Sequence, residues 1–421
     1  MSELASSPSN TAPPRTRPTS VSEEAEFAPQ LPFPRPDVLS VGPLYAQLRA
    51  TAPLCAVRTP AGDPAWLVTS HALTRELLAD PRLGRSHPQP ERAARISGSA
   101  VLGGPMGDAA TEAEGHARMR KLLAPAFAAR RMHRLRAHVA DLVAEALDGM
   151  AAHGSPADLH ELVSLPIPVL VICELLGVPY ADRDRFRALS EGAGGLTDRE
   201  ASQRALHDLV AYIRELLAGK RRAPGEDVLS DLVAADPEGH HADATAGLAA
   251  MLLFAGHETT VTRIDVGAVL LLTHPEHYRA LAADPTRVPA TVEEILRLAA
   301  PGGSGGGLPR YAHADIAVGD VTIRAGDAVV LSPAAANRDP AAFPDPEAFD
   351  PDRAAGGHLA FGHGPRYCIG AALARVELQA VFAALPARFP TLELAVPVDE
   401  LEVRADLLTG GLRALPVRWR P

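Results

Sequence analysis

A cysteine that holds a metal must stay ionised beside it, and one segment of the chain offers that setting: Phe361-Gly362-His363-Gly364-Pro365-Arg366-Tyr367-Cys368-Ile369-Gly370. Apolar periodicity predicts a long helix over 369–385, which puts Cys368 just ahead of a helix N-terminus. Free backbone N–H groups and the positive end of the helix dipole then favour a thiolate. Gly364 and Gly370 let the backbone pass close to a planar group and to the sulfur, where bulkier residues would obstruct. Phe361 can shield the ligand from water. The same residues also fit a plainer reading, a buried core cysteine beside a glycine-rich turn.

A second constellation, Ala255-Gly256-His257-Glu258-Thr259-Thr260, lies in the middle of an apolar stretch that the 3.6-residue period predicts as one helix over 242–272. Gly256 removes a side chain and can open a groove on the helix face. Glu258 and Thr259 supply a carboxylate and a hydroxyl where most neighbours are apolar. Cleaving dioxygen takes two protons, and an acid and an alcohol with water between them form a suitable relay. A helix with a polar kink, or a threonine hydroxyl bonded back to a carbonyl, accounts for the same residues.

A third feature is Glu294-Ile295-Leu296-Arg297 on a predicted helix over 288–298. Positions three apart share a helix face, so the two charges can meet. Such pairs are common on surfaces, where they contribute ~0–1 kcal/mol. Downstream, Pro346-Glu347-Ala348-Phe349-Asp350-Pro351-Asp352-Arg353 supplies another arginine.

These motifs, in this order, resemble those of the cytochrome P-450 family, and the resemblance covers roughly residues 35–420. It implies haem b held by Cys368 as axial thiolate, whose electron density favours O–O cleavage. It assigns proton delivery to Glu258 and Thr259, and makes Glu294, Arg297 and Arg353 a buried triad bracing the cysteine region. It makes His116, Arg120, Arg310 and Arg366 partners of the haem propionates, a task for which the arginine fork is suited. The implied activity is monooxygenation: one oxygen atom of O2 enters an apolar small molecule, with electrons from a ferredoxin and its reductase. The segment Ala300-Pro301-Gly302-Gly303-Ser304-Gly305-Gly306-Gly307-Leu308-Pro309 departs from the bulkier residues usual there and points to a wider pocket floor. With the Glu258 and Arg310 motifs it looks most similar to actinomycete members that tailor polyketides and terpenoids, by hydroxylation or epoxidation.

Two rivals share the residues. A haem-thiolate enzyme could rearrange, couple or desaturate its substrate without net oxygen insertion. A haem sensor or carrier would turn nothing over, but would have no need of an acid–alcohol pair. A hydrolase using Cys368 as nucleophile leaves the other motifs unexplained.

The elements that must position these residues are mostly helical. Beyond those named, periodicity predicts helices over 43–49, 71–78, 116–123, 131–150, 165–176, 182–191, 200–218 and 275–284, with strands near 55–58, 65–69 and 315–332. Residues 84–114 read as a long, functional loop. The fold class is therefore mainly α with a minor β part, and the resemblance implies the single triangular cytochrome P-450 domain. The substrate pocket is expected from the 84–114 loop, parts of 180–200, 251–259, the glycine segment and the turn at 408–412.

Composition sets the remaining bounds. Residues 1–30 are rich in Ser, Pro, Thr and Ala and read as a disordered leader, with the catalytic domain over 31–421. The formal charge of −10 gives nucleic acid or anionic membrane no global attraction. No apolar run approaches the ~20 residues that span a bilayer, and three widely spaced cysteines make no disulfide framework. A cytoplasmic setting with no membrane partner follows. Against the acidic background, 115–140 carries seven Lys or Arg and no Asp or Glu, a docking patch for an acidic electron donor.

Overall fold

The computed structural model describes residues 21, 25–300, 307–353 and 357–420. Its axis is a 32-residue helix, Ala242–Thr273, buried along most of its length. Nearly all of its neighbours are apolar, so it is wrapped by other helices: Pro166–Leu176, Arg199–Arg222 and the helix after the cysteine, Ala371–Arg388. The last of these also packs along Ala129–His153. One large core joins these helices.

The β part is small. Its strands are β1 (Cys55–Arg58), β2 (Pro64–Val68), β3 (Leu83–Gly84), β4 (Ala157–Asp158), β5 (Leu308–Ala312), β6 (Ile316–Val318), β7 (Val321–Ile323), β8 (Ala328–Leu331), β9 (Glu393–Leu394) and β10 (Pro416–Arg418). The main sheet runs β1-β2-β8-β5-β3, with β2 and β8 parallel and the other pairs antiparallel. Its register sets Arg310 opposite Val329, and Leu83 opposite Ala312. The chain leaving β3 therefore runs beside the strand that carries Arg310.

The expected mainly helical class with a minor β part is what the chain forms. The helix expected from 116 begins four residues sooner, as Glu112–Leu123, and its first turn holds Glu112 and Glu114, acids that suit a helix N-terminus. A helix absent from the sequence reading, Val228–Ala235, is capped by Asp227, whose carboxylate accepts from Ser230 N at 2.8 Å. Most of the expected leader, 1–20 and 22–24, lies outside the described residues. Its last six residues are built into the fold: Ala25–Phe27 form a 3-10 turn, Ala25 is buried, and Gln30 pairs with Arg58 on the sheet edge. Residues 25–30 thus pack on the domain, held by backbone hydrogen bonds between Arg58 and Pro29 and Leu31.

Candidate functional site

Cys368 sits two residues before Gly370, the N-cap of Ala371–Arg388. Its N–H donates to Phe361 O at 2.9 Å, closing the loop that carries it. Burial raises the thiol's proton affinity; the Gly370 N–H and the charges of Arg263, Arg120 and Arg375 act the other way and favour the thiolate. The residue keeps a solvent-exposed edge although its sulfur has protein close around it. Gly364 is required: its φ is +70°, and a Cβ there would lie 2.8 Å from Ala79 Cα.

Two ion networks hold this loop, one buried and one half-buried. Arg297 grips Glu294 bidentately, at 2.8 and 2.7 Å, and reaches the carbonyls of Asn337, Pro346 and Ala348. Arg353 Nε adds a bond of 3.3 Å to Glu294. Asn337 relays the brace, accepting Leu359 N at 2.7 Å just upstream of Phe361. The expected triad of Glu294, Arg297 and Arg353 therefore assembles. The second network was not read from the sequence. Glu293 binds Arg375 through both oxygens (2.7 and 2.8 Å) and His358 at 3.1 Å, while Arg375 stacks over the Phe361 ring at 4.6 Å. Burial alone would raise the Glu293 pKa, but these bonds and charges bring it down to about 2. Its sequence signal was the arginine seven residues past the cysteine, one helical turn into a buried helix.

The expected propionate partners converge on one edge. Arg120 donates to Tyr367 O at 2.9 Å, and Arg366 is paired with Glu112. Arg310 is buried, and among the described residues its guanidinium donates only to its neighbour Pro309 O, at 2.8 Å. Burial, with Arg85 and Arg366 close by, lowers its pKa to about 9. His116 is half-buried, and burial followed by the charges of Arg366 and Arg120 disfavours its protonation. Arg85, at the exit of β3, was missed by the sequence reading. It is half-buried, and its Nε has no hydrogen-bond partner among the described residues.

That cluster tests the fit of a cofactor. Arg85, Arg310 and Arg366 share Glu112 as their one nearby carboxylate among the described residues. Three cations withdrawn in part from water with one anion between them favour further negative charge nearby, so the site is suited to receive it. A group with two carboxylates on its rim, as haem has, fits it.

On the central helix, Gly256 lets a neighbour in: a Cβ there would lie 2.8 Å from Ile172 Cδ1. Glu258 is buried, its pKa is raised by desolvation, and its Oε2 accepts from Thr409 Oγ1 at 2.8 Å. Thr259 Oγ1 donates back to Ala255 O at 2.9 Å, the local bond that sequence had left open as an alternative. Acid and alcohol are adjacent but not bonded to each other. His257 is wholly buried with neither ring nitrogen partnered among the described residues. Burial lowers its pKa to about 3, so it is neutral. One turn on, Arg263 donates to Thr259 O at 3.1 Å, and burial lowers its pKa; sequence reading had passed it over.

The segments expected to line the substrate pocket do meet. Val101, Ala193, Phe254 and Leu408 form one apolar cluster, with Leu196 and Met251 packed on it. Residues 301–306 of the glycine segment lie outside the described residues. A separate cavity of about 140 Å³ lies between Phe33, Tyr45, Arg263 and Ala360. It meets the expected lining only at Ala300, Gly307 and Leu308, so the apolar cluster on the Glu258 side is the candidate for substrate.

A cysteine at a helix mouth, a cationic edge and an acid–alcohol pair on the helix above define a cofactor-dependent oxidoreductase. The family model described as Cytochrome P450 matches residues 198–397. Pentalenolactone synthase of Streptomyces exfoliatus is 45% identical over 93% of this chain and 99% of its own length. The mycinamicin IV hydroxylase/epoxidase of Micromonospora griseorubida is 40% identical over 92% and 98%. The structure of PimD, a polyene macrolide antibiotic pimaricin epoxidase, superposes with a TM-score of 0.84 at 40% identity, covering 94% of this chain and all of that one. The chain belongs to the cytochrome P450 family and is a monooxygenase of the bacterial tailoring type. Membership implies a haem iron, a redox partner and a small-molecule substrate. No helix among the described residues is long and apolar enough to cross a membrane.

Proposed function

We propose that the protein hydroxylates or epoxidises an apolar polyketide or terpenoid in antibiotic or other secondary metabolism, with Cys368 as the axial ligand of haem b. The observation that carries the reading is the cation-rich edge beside the cysteine loop, where Arg120 bonds Tyr367 O next to Cys368 and lies with Arg366 and Arg310 around His116; the central helix adds Glu258 and Thr259 next to the apolar cluster at Phe254 and Leu408. The relatives' named work on pentalenolactone, mycinamicin and pimaricin supports the substrate class.

Haem, when bound, supplies dioxygen activation; the chain supplies the rest. Burial raises the proton affinity of the Cys368 sulfur, against which the Gly370 N–H and the surrounding cations favour the thiolate that would hold the iron. Arg120, Arg310, Arg366 and, more weakly, His116 neutralise the propionates, with Arg85 joining them. Glu258, whose proton affinity is raised by burial, can hold a proton at its carboxyl; Thr259 passes protons onward through its hydroxyl once released from Ala255 O. Val101, Phe254 and Leu408 exclude water and orient an apolar substrate. Electrons come from a ferredoxin and its reductase, docking on the basic face where Arg118, Lys121, Arg130 and Arg134 are exposed. The domain extends over the described chain to residue 420, in a cytoplasmic setting.

The test has two arms. Reduced protein under carbon monoxide should show the thiolate Soret band, and Cys368→Ala should lose it. Turnover under labelled dioxygen should place one labelled atom in the product. Unlabelled product would instead mean rearrangement, coupling or desaturation.

A further inference from the structure

The turn Leu407–Gly411 touches two different parts of the site at consecutive residues. Leu408 is buried in the apolar cluster with Val101, Ala193 and Phe254. Thr409, itself buried, donates its hydroxyl to Glu258 at 2.8 Å. The turn is anchored to the same pocket wall by backbone bonds: Leu408 N donates to Gly194 O at 2.9 Å, and Leu196 N to Asp406 O at 2.9 Å. Its far end rests on the central helix, where a Cβ on Gly411 would come within 3.2 Å of Thr262 Oγ1. The turn is thus a short lever between a surface that an apolar ligand must press and the carboxyl of Glu258.

We propose that Thr409 is a positioning residue that parks the Glu258 carboxyl while the apolar cluster is closed, and releases it when a ligand displaces Leu408. The inference rests on Glu258 being the proton-delivering acid, and it adds what controls that acid. In the closed arrangement Glu258 is bonded to Thr409 and Thr259 to Ala255, so both relay members are engaged elsewhere. A buried carboxyl that loses the side-chain hydrogen bond holding it must find another, and Thr259, the next residue on the helix, is the nearest alcohol in sequence. Proton delivery is thereby tied to occupancy, which keeps the empty enzyme from spending reducing equivalents.

The test uses the haem-loaded protein and the infrared carbonyl band of the Glu258 carboxyl, assigned by its loss in Glu258→Gln. Two probes bind haem but differ in bulk, imidazole and econazole, and the Soret shift reports that each has bound. Econazole should shift the Glu258 band and imidazole should leave it in place. In Thr409→Val the band should already stand at its shifted position and ignore econazole, while Thr409→Ser, which keeps the hydroxyl, should behave as wild type. A band unmoved by bound econazole, moved equally by imidazole, or unchanged in Thr409→Val would overturn the proposal. The relay role is judged separately, by product yield per electron in Glu258→Gln; that role can fail while the band still answers whether Thr409 parks the acid.

Discussion

Below the cysteine loop, Glu294 meets Arg297 and Arg353, and Glu293 meets Arg375 and His358. On the central helix, Glu258 accepts from one hydroxyl, and His257, whose Nδ1 lies 3.8 Å from the Glu258 carboxylate, makes no hydrogen bond among the described residues. The two regions hold their charges in opposite arrangements. In the first, every carboxylate is saturated by cations, its proton affinity falls or its geometry is fixed, and the loop holding Cys368 becomes rigid. In the second, burial without saturation raises the proton affinity of an acid and leaves side chains able to change partners. Saturated charge builds a scaffold; undersaturated charge stores reactivity.

The largest expected effect comes from breaking the scaffold. Arg297→Ala leaves buried Glu294 with only the longer bond to Arg353 as a cationic contact and strips its bidentate partner, a loss of about 3–5 kcal/mol. Chemical denaturation should show it, together with poor haem retention. Arg297→Lys should recover part of the loss only, since an ammonium cannot reproduce the two-pronged grip or the three carbonyl contacts.

Breaking the undersaturated side should leave the fold and damage the chemistry. Thr259→Ala and Glu258→Gln should each lower productive turnover by about 10²–10⁴-fold, the range for a positioned proton donor, with electrons diverted to peroxide. Peroxide yield per electron is the measurement. If both variants keep wild-type coupling, the contrast between scaffold and reactive side loses its functional half.

The comparison also explains what the sequence could and could not disclose. Cys368, Glu258, Thr259 and the Glu294–Arg297 spacing are local patterns, and the helix limits over 288–298 match the structure because that stretch is strongly amphipathic. Arg85 and Glu293 were not legible, since their meaning depends on pairings between distant segments. Arg85 acquires its role only when β3 lies beside β5, and Glu293 only when the helix after Cys368 brings Arg375 to it. The start of the Glu112–Leu123 helix was missed for a related reason. Glu112 sits before the apolar rhythm begins, and its side chain is held by the backbone N–H groups of Arg85 and Ser86.

Smaller effects separate stability from activity. Desolvation raises the Glu258 pKa above its ordinary value, so the folded state binds its proton more tightly than the unfolded chain does. Stability is then complete below the ordinary carboxyl range and declines as pH rises through the raised folded value. Glu258→Gln removes the titration. It should melt at a higher temperature than wild type at neutral pH, with the gap closing in acid, even as it loses coupling. A variant that is both less active and less stable at neutral pH would place Glu258 with the scaffold instead.

Glu293 gives the opposite sign. Its pKa is about 2 in the folded protein, against an ordinary value of 4.5, so the folded state holds the ionised form. Its contribution is present above pH 4.5 and is lost as pH falls toward 2. Glu293→Gln should melt below wild type at neutral pH, because Arg375 and His358 lose their anion while the amide keeps much of the shape. The difference should shrink as the wild-type carboxylate is protonated, so melting curves at stepped acid pH are the check. This pair is partly open to solvent, with side chains 28% and 26% exposed for Arg375 and Glu293, and screening should make the effect the smallest of the set. A gap independent of pH would assign the loss to packing around Phe361, and would limit the saturated-charge argument to the Glu294 triad.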